Sequence, residues 1–150
     1  MRSLLIAFVL IIFSSLAWGQ KKDPIIFPPP VLGLDVPEFI NACELPTHKN
    51  ELVYTRFIYS GIDEYWGLHP VDKKCKGINA KLEIPDSVEL KPKDQVLFKY
   101  AHDHYWNTYL IIDAIGTFDD SEHHYGHLGS NNSQFIIKWI VDVQKVKITK

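Results

Sequence analysis

Leu110-Ile111-Ile112-Asp113-Ala114-Ile115-Gly116-Thr117-Phe118 is the most legible strand of this chain. Leu110, Ile112, Ala114, Gly116 and Phe118 fall on one side, and Asp113, Thr117 and Asp119 on the other. Such a period of two is what a half-buried strand requires. A polar, glycine-containing loop follows over 119–133. It leads into 134–148, where Phe135, Ile137, Trp139, Val141 and Val143 alternate before the phase flips to Val146 and Ile148. A flip of phase inside a long strand predicts a bulge. The alternation also predicts that Trp139, like Trp66, packs inside.

Upstream, residues 91–106 read as a helix. Pro92 suits a first turn, Asp94 complements the N-terminal dipole, and Val96, Leu97, Tyr100, Ala101 and His104 share one broad face. Val96, Phe98 and Tyr100 also alternate as a strand would. Further upstream, 52–60 is dense in β-branched and aromatic residues. Gly61 then marks either a bulge or the turn of a tight hairpin, and the pattern resumes through Trp66 and Leu68. Residues 78–84 supply a third strand, closed by Pro85. The order is therefore three strands, a helix and two strands, so the fold is read as mainly β with one helix. That layout matches a small OB-like, five-stranded Greek-key barrel. Another small α+β sheet also satisfies the pattern.

The N-terminus speaks about compartment. Arg2 precedes an unbroken apolar run of ten from Leu4 to Phe13, and Ala17-Trp18-Gly19 places small residues at the two positions a signal peptidase reads. Residues 1–19 therefore read as a signal peptide, and the chain as secreted or periplasmic. The alternative is an uncleaved anchor, which would be the chain's membrane contact. The run is short for that, since a span needs about 20 apolar residues. Residues 20–37, with Pro28-Pro29-Pro30, read as a proline-rich tether, and 38–150 as a single OB-like domain. Within it, 38–45 reads as a turn or short helix ended by Pro46.

Cys43 and Cys75 are the two cysteines of the chain. In an exported protein the simplest reading is one disulfide. Cleavage would also remove Arg2, leaving 15 basic against 18 acidic residues, a net charge of −3. That balance offers no field for nucleic acid, which clustered Lys and Arg would supply.

Further motifs join these elements. Tyr59-Ser60-Gly61-Ile62-Asp63-Glu64, Cys75, Leu82-Glu83-Ile84-Pro85, Gly116-Thr117-Phe118-Asp119 and Tyr125-Gly126-His127-Leu128-Gly129 resemble a group of small exported bacterial proteins of unknown function. In that group a Gly-x-Phe strand end precedes a Gly-His-Leu-Gly loop and a last strand. The resemblance spans 52–146 and implies an OB-like domain and export, with no activity and no catalytic residues. The chain departs from it in His123 and His124 and in the aromatic segment around Trp106.

Two constellations bear on function. His123, His124 and His127, preceded by Asp119, Asp120 and Glu122, offer imidazole and carboxylate ligands for Zn, Cu or Ni. The same loop reads alternatively as structural, with His123 and His124 solvated and His127 locked by a buried hydrogen bond between Gly126 and Gly129. The second constellation is aromatic. Tyr65, Trp66, Tyr105 and Trp106 could stack a ligand, with Tyr65 and Trp106 the two expected at the surface. Nucleophilic motifs and phosphate loops are absent, and Asn131-Asn132-Ser133 is formally a glycosylation acceptor. Two functions follow. One is a non-catalytic exported module that binds a glycan or a protein partner and needs no cofactor. The other is a protein dependent on a divalent metal, with hydrolysis as its candidate reaction, working through loop 119–127.

Overall fold

The computed structural model describes residues 36–148, except 73 and 76. The expected signal peptide, and all but the last two residues of the expected tether, lie outside the described residues. Five strands and one α-helix are formed: β1 (Leu52–Ile62), β2 (Tyr65–Pro70), β3 (Ala80–Glu83), α1 (Pro92–Asp103), β4 (Thr108–Asp119) and β5 (Ser133–Lys147). Around the ring the order is β1-β2-β3-β5-β4, and β4 returns to β1, closing a barrel. Neighbours run antiparallel except β3 and β5, which are parallel. Closure removes the free edges that an open sheet of this size would expose.

The inward face of β4 is the one its alternation foretells: Leu110, Ile112, Ala114, Gly116 and Phe118 are buried. They meet Phe57, Leu68, Phe135 and Ile137, with the Phe57 and Phe135 rings edge to face at 4.9 Å. On the outer side, Asp113 is also buried. Its carboxylate accepts two hydrogen bonds from Arg56, at 2.5 and 2.6 Å, across a directly paired position of β1. A charge placed on the polar face of a strand is thus covered by a bidentate cross-strand partner.

Strand β5 differs from its expected phase. Register against β4 shifts twice, leaving Lys138 and Val141 as extra residues. The inward positions become Phe135, Ile137, Ile140 and Val143, and Trp139 turns outward at 40 % exposure. The expectation that Trp139 lies in the core is therefore corrected. Bulges come where a long strand must bend round a small barrel, and each resets the alternation.

At Gly61 the structure has neither a bulge nor a turn. Residue 61 stays in β1, paired with Trp66, and the hairpin turns at Asp63-Glu64, with Asp63 at φ 52°. A Cβ at Gly61 would sit 2.7 Å from the Trp66 Cα and 2.8 Å from its indole, so glycine here makes room for the tryptophan. Trp66 itself is partly buried and packs on the core, as its sequence position suggests.

Helix α1 packs against β4 and β5 and reaches the inward-facing Tyr59 and Trp66 of β1 and β2. It turns Asp94, Leu97, Phe98 and Ala101 toward the barrel, while Val96 is 66 % exposed, contrary to the face expected for it. The Leu97–Ala101 pair fixes the buried stripe, and Val96 lies about 100° round the helix from Leu97. Ahead of β1, Asn41 caps a 3₁₀ helix, Ala42–Thr47, by accepting from the Cys43 amide at 3.0 Å. Pro46 lies inside this helix and does not end it. Cys43 and Cys75 are bonded, with Cα atoms 5.5 Å apart, joining the 3₁₀ helix to the β2–β3 loop. Among the described residues no helix is long and apolar enough to cross a membrane.

Candidate functional site

The β1–β2 hairpin presents an outer face on which Ile58, Ser60 and Ile62 lie opposite His69, Gly67 and Tyr65. A cleft of about 440 Å³ opens on this face, walled by Asn79, Ser130 and Asn131 from the segments that precede β3 and β5. Gly67 is its floor. A Cβ there would come within 2.4 Å of Asn79 Oδ1 and 2.7 Å of Asn131 Nδ2, so the missing side chain lets both amides cross the strand.

The wall is a closed hydrogen-bond network. Asn131, 2 % exposed, donates from Nδ2 to the Trp66 carbonyl (3.3 Å) and to Asn79 Oδ1 (3.1 Å), and its Oδ1 accepts from Ser130 Oγ (2.9 Å). Asn79 Nδ2 in turn donates to the Ser130 carbonyl at 3.0 Å. Backbone bonds in both directions join Tyr125 to Asn131. These bonds tie β2, β3 and the β4–β5 loop into one rigid wall, and with both Nδ2 hydrogens engaged Asn131 is no glycosylation acceptor in the folded chain.

Ser60 and His69 behave differently. Neither side chain has a hydrogen-bond partner among the described residues, and both face the cleft. Burial lowers the His69 pKa from its ordinary 6.5, keeping the ring neutral. Every other side chain lining the cleft is uncharged too. The two free groups sit diagonally across the β1–β2 pairing and are not bonded to each other. Among the described residues no carboxylate is bonded to His69 in the way that orients the base of an activated serine.

The residues singled out by sequence fall in several places. Tyr65, 47 % exposed, borders the cleft and meets the His127 ring edge to face at 5.2 Å. Trp106, 62 % exposed, lies beyond the end of α1 against Tyr105 and His104, outside the cleft. His123 and His124 are exposed. His127 is not buried as the structural reading of the loop supposed: its side chain is 39 % exposed, and Nε2 lies 3.0 Å from Glu64 Oε2 on the hairpin. Asp119 holds Gln134 and the Ser121 amide, and Asp120 pairs with Lys49. Among the described residues no three His, Cys, Asp or Glu side chains gather as a metal ligand set.

The loop's glycines divide the work. Gly126 has φ 72° and ψ −167°, a conformation open essentially to glycine alone, and a Cβ there would meet Asn131 Oδ1 at 2.1 Å. Gly129 has φ 71°. Sequence reasoning named these glycines but credited His127 with the lock that Asn131 supplies. Ser60, His69 and Asn79 were missed altogether, because only the hairpin register and a wall from distant segments bring them together.

No protein-family model, curated protein or solved structure matches this chain.

Proposed function

We propose that this protein is an exported, non-catalytic binding module built on an OB-like Greek-key barrel, and that it takes a neutral glycan in the cleft on the outer face of β1 and β2. Strand order, the single parallel pair and the helix between β3 and β4 support the OB-like reading. So does the position of the cleft, between the β1–β2 turn and the β4–β5 loop. The disulfide and the residue 1–19 pattern support export.

The observation that carries the ligand class is the lining. Tyr65 offers an aromatic face, Ser60 and His69 offer free neutral hydrogen-bonding groups, and the cleft contributes no charged side chain. Sugars present hydroxyls to such groups and C–H faces to aromatic rings. An anion would need Lys or Arg at the same place.

The experiment is a screen of immobilised neutral oligosaccharides, followed by calorimetry on any ligand found. Binding that falls at least about tenfold in both Tyr65→Ala and His69→Ala supports the reading, a loss expected of a removed stacking or hydrogen-bonding contact. Equal binding by wild type and both variants, or no binding to any neutral glycan, overturns it.

A further inference from the structure

A second cleft, of about 510 Å³ and sharing no lining residue with the first, lies between the start of α1 and the bulged part of β5. Three features there call for explanation together. The first is Asp94, which lines the cleft yet is only 3 % exposed, and whose carboxylate has no hydrogen-bond or ion-pair partner among the described residues. Its oxygens are not sealed from solvent, so water in the cleft is what they meet, and a cation that replaces that water gains a charge-assisted bond.

The helix end does not provide that partner. Pro92 has no amide hydrogen, and the amides of Asp94 and Gln95 both bond to the Lys91 carbonyl. The helix dipole favours an anion at this position but makes no hydrogen bond to it.

The second feature is Trp139. The double bulge turns its indole out of the barrel, and it lines the same cleft as Asp94. The third is the apolar lining from Val88, Leu90 and Ile140.

We infer that this cleft binds an organic ammonium group carried on an alkyl stem, as in a primary amine, with Asp94 receiving the ammonium and Trp139 and the apolar lining receiving the stem. A carboxylate beside an aromatic ring recognises such an ion through a charge-assisted hydrogen bond and a cation–π contact. A bare metal ion fits poorly. Asp94 is the single buried carboxylate of the lining, and Glu89, Lys91 and Lys138, which also line it, are exposed. The site is independent of the glycan cleft and of its test.

The test titrates the full mature chain with n-butylammonium chloride and follows backbone and indole NMR shifts, with sodium chloride at equal ionic strength as reference. Saturable shifts at residues 87–94 and at the Trp139 indole are expected. Asp94→Asn should weaken them at least about tenfold, the loss expected when a charge-assisted bond is removed. Trp139→Leu, at an exposed position that leaves the fold intact, should weaken them roughly threefold. Absence of saturable shifts overturns the inference. So does equal binding by Trp139→Leu and wild type, equal binding by a folded Asp94→Asn, or reproduction of the same shifts by magnesium or calcium.

Discussion

The imidazole of His102 lies flat on the indole of Trp66, with ring centroids 4.0 Å apart and planes 1° from parallel. The same ring's Nε2 is hydrogen-bonded to the Tyr59 hydroxyl at 3.0 Å, and burial pushes the pKa of that hydroxyl up so that it stays protonated. His102 belongs to the last turn of α1, while Tyr59 and Trp66 belong to β1 and β2. One side chain therefore fastens the helix to the hairpin through a stack and a hydrogen bond. His102→Ala should cost about 1–2 kcal/mol in urea denaturation. A loss below a few tenths of a kcal/mol would show that the helix is held elsewhere.

Stability should also fall with acid in a defined window. Burial lowers the pKa of His102 and of His69 below the ordinary 6.5. The unfolded chain then takes up protons at a higher pH than the folded one, so the contribution is complete above 6.5 and shrinks as pH falls through the folded values. Urea midpoints at pH 7.5 and 5.0 should show the decline, and His69→Asn with His102→Asn should flatten it. At lower pH, the hydrogen bond from Gln134 and then that from the Ser121 amide hold Asp119 down at about 2. Its share is complete above 3.8 and is lost as pH falls from there through about 2.

Asn131 is the residue on which the cleft wall depends. Asn131→Leu removes three side-chain hydrogen bonds and strands the Trp66 carbonyl and Asn79 Oδ1. A loss of about 3 kcal/mol is expected, each stranded buried group costing roughly 1–3. Gly126→Ala should be comparably harmful, because its Cβ would strike Asn131 from a backbone conformation that alanine avoids. Thermal melts of both variants within a degree of wild type would refute this account of the loop.

His127 should matter far less. Its partner Glu64 is exposed, and surface ion pairs contribute at most about 1 kcal/mol. His127→Ala is expected to shift stability by less than that, and the shift should vanish in high salt. A salt-independent loss of several kcal/mol would restore the idea of a buried lock.

Reduction of the Cys43–Cys75 bond should destabilise the domain by about 2–4 kcal/mol, since it closes a loop with a sequence separation of 32. A melt in dithiothreitol that coincides with the oxidised melt would mean that the 3₁₀ helix is held by packing alone.

Much of this architecture is legible along the chain. Alternation in β4 names its buried residues because both neighbours of β4 pair with it along most of its length, so each side chain's direction follows from position alone. Pro92 and Asp94 mark the start of α1, and two cysteines admit one internal pairing. Where alternation was extended through β5 it misplaced Trp139, because a bulge leaves no trace in local composition: each residue remains a good strand former on either face.

The same reason governs the clefts. A strand period tells that Ser60, Gly67 and His69 face outward, but not that Asn79 and Asn131 close over them from 12 and 64 residues beyond Gly67. His123, His124 and His127 are close in sequence yet form no ligand set, since a glycine-bearing loop has no fixed spacing between side chains. Sequence therefore determined what local physics controls: strand faces, helix start, the cysteine pairing and the glycines a strained turn demands. Which distant residues share a surface, which acid lines a cleft with no side chain bonded to it and which tryptophan turns outward were decided by closure of the barrel, because closure sets register, and register is a property of two strands together.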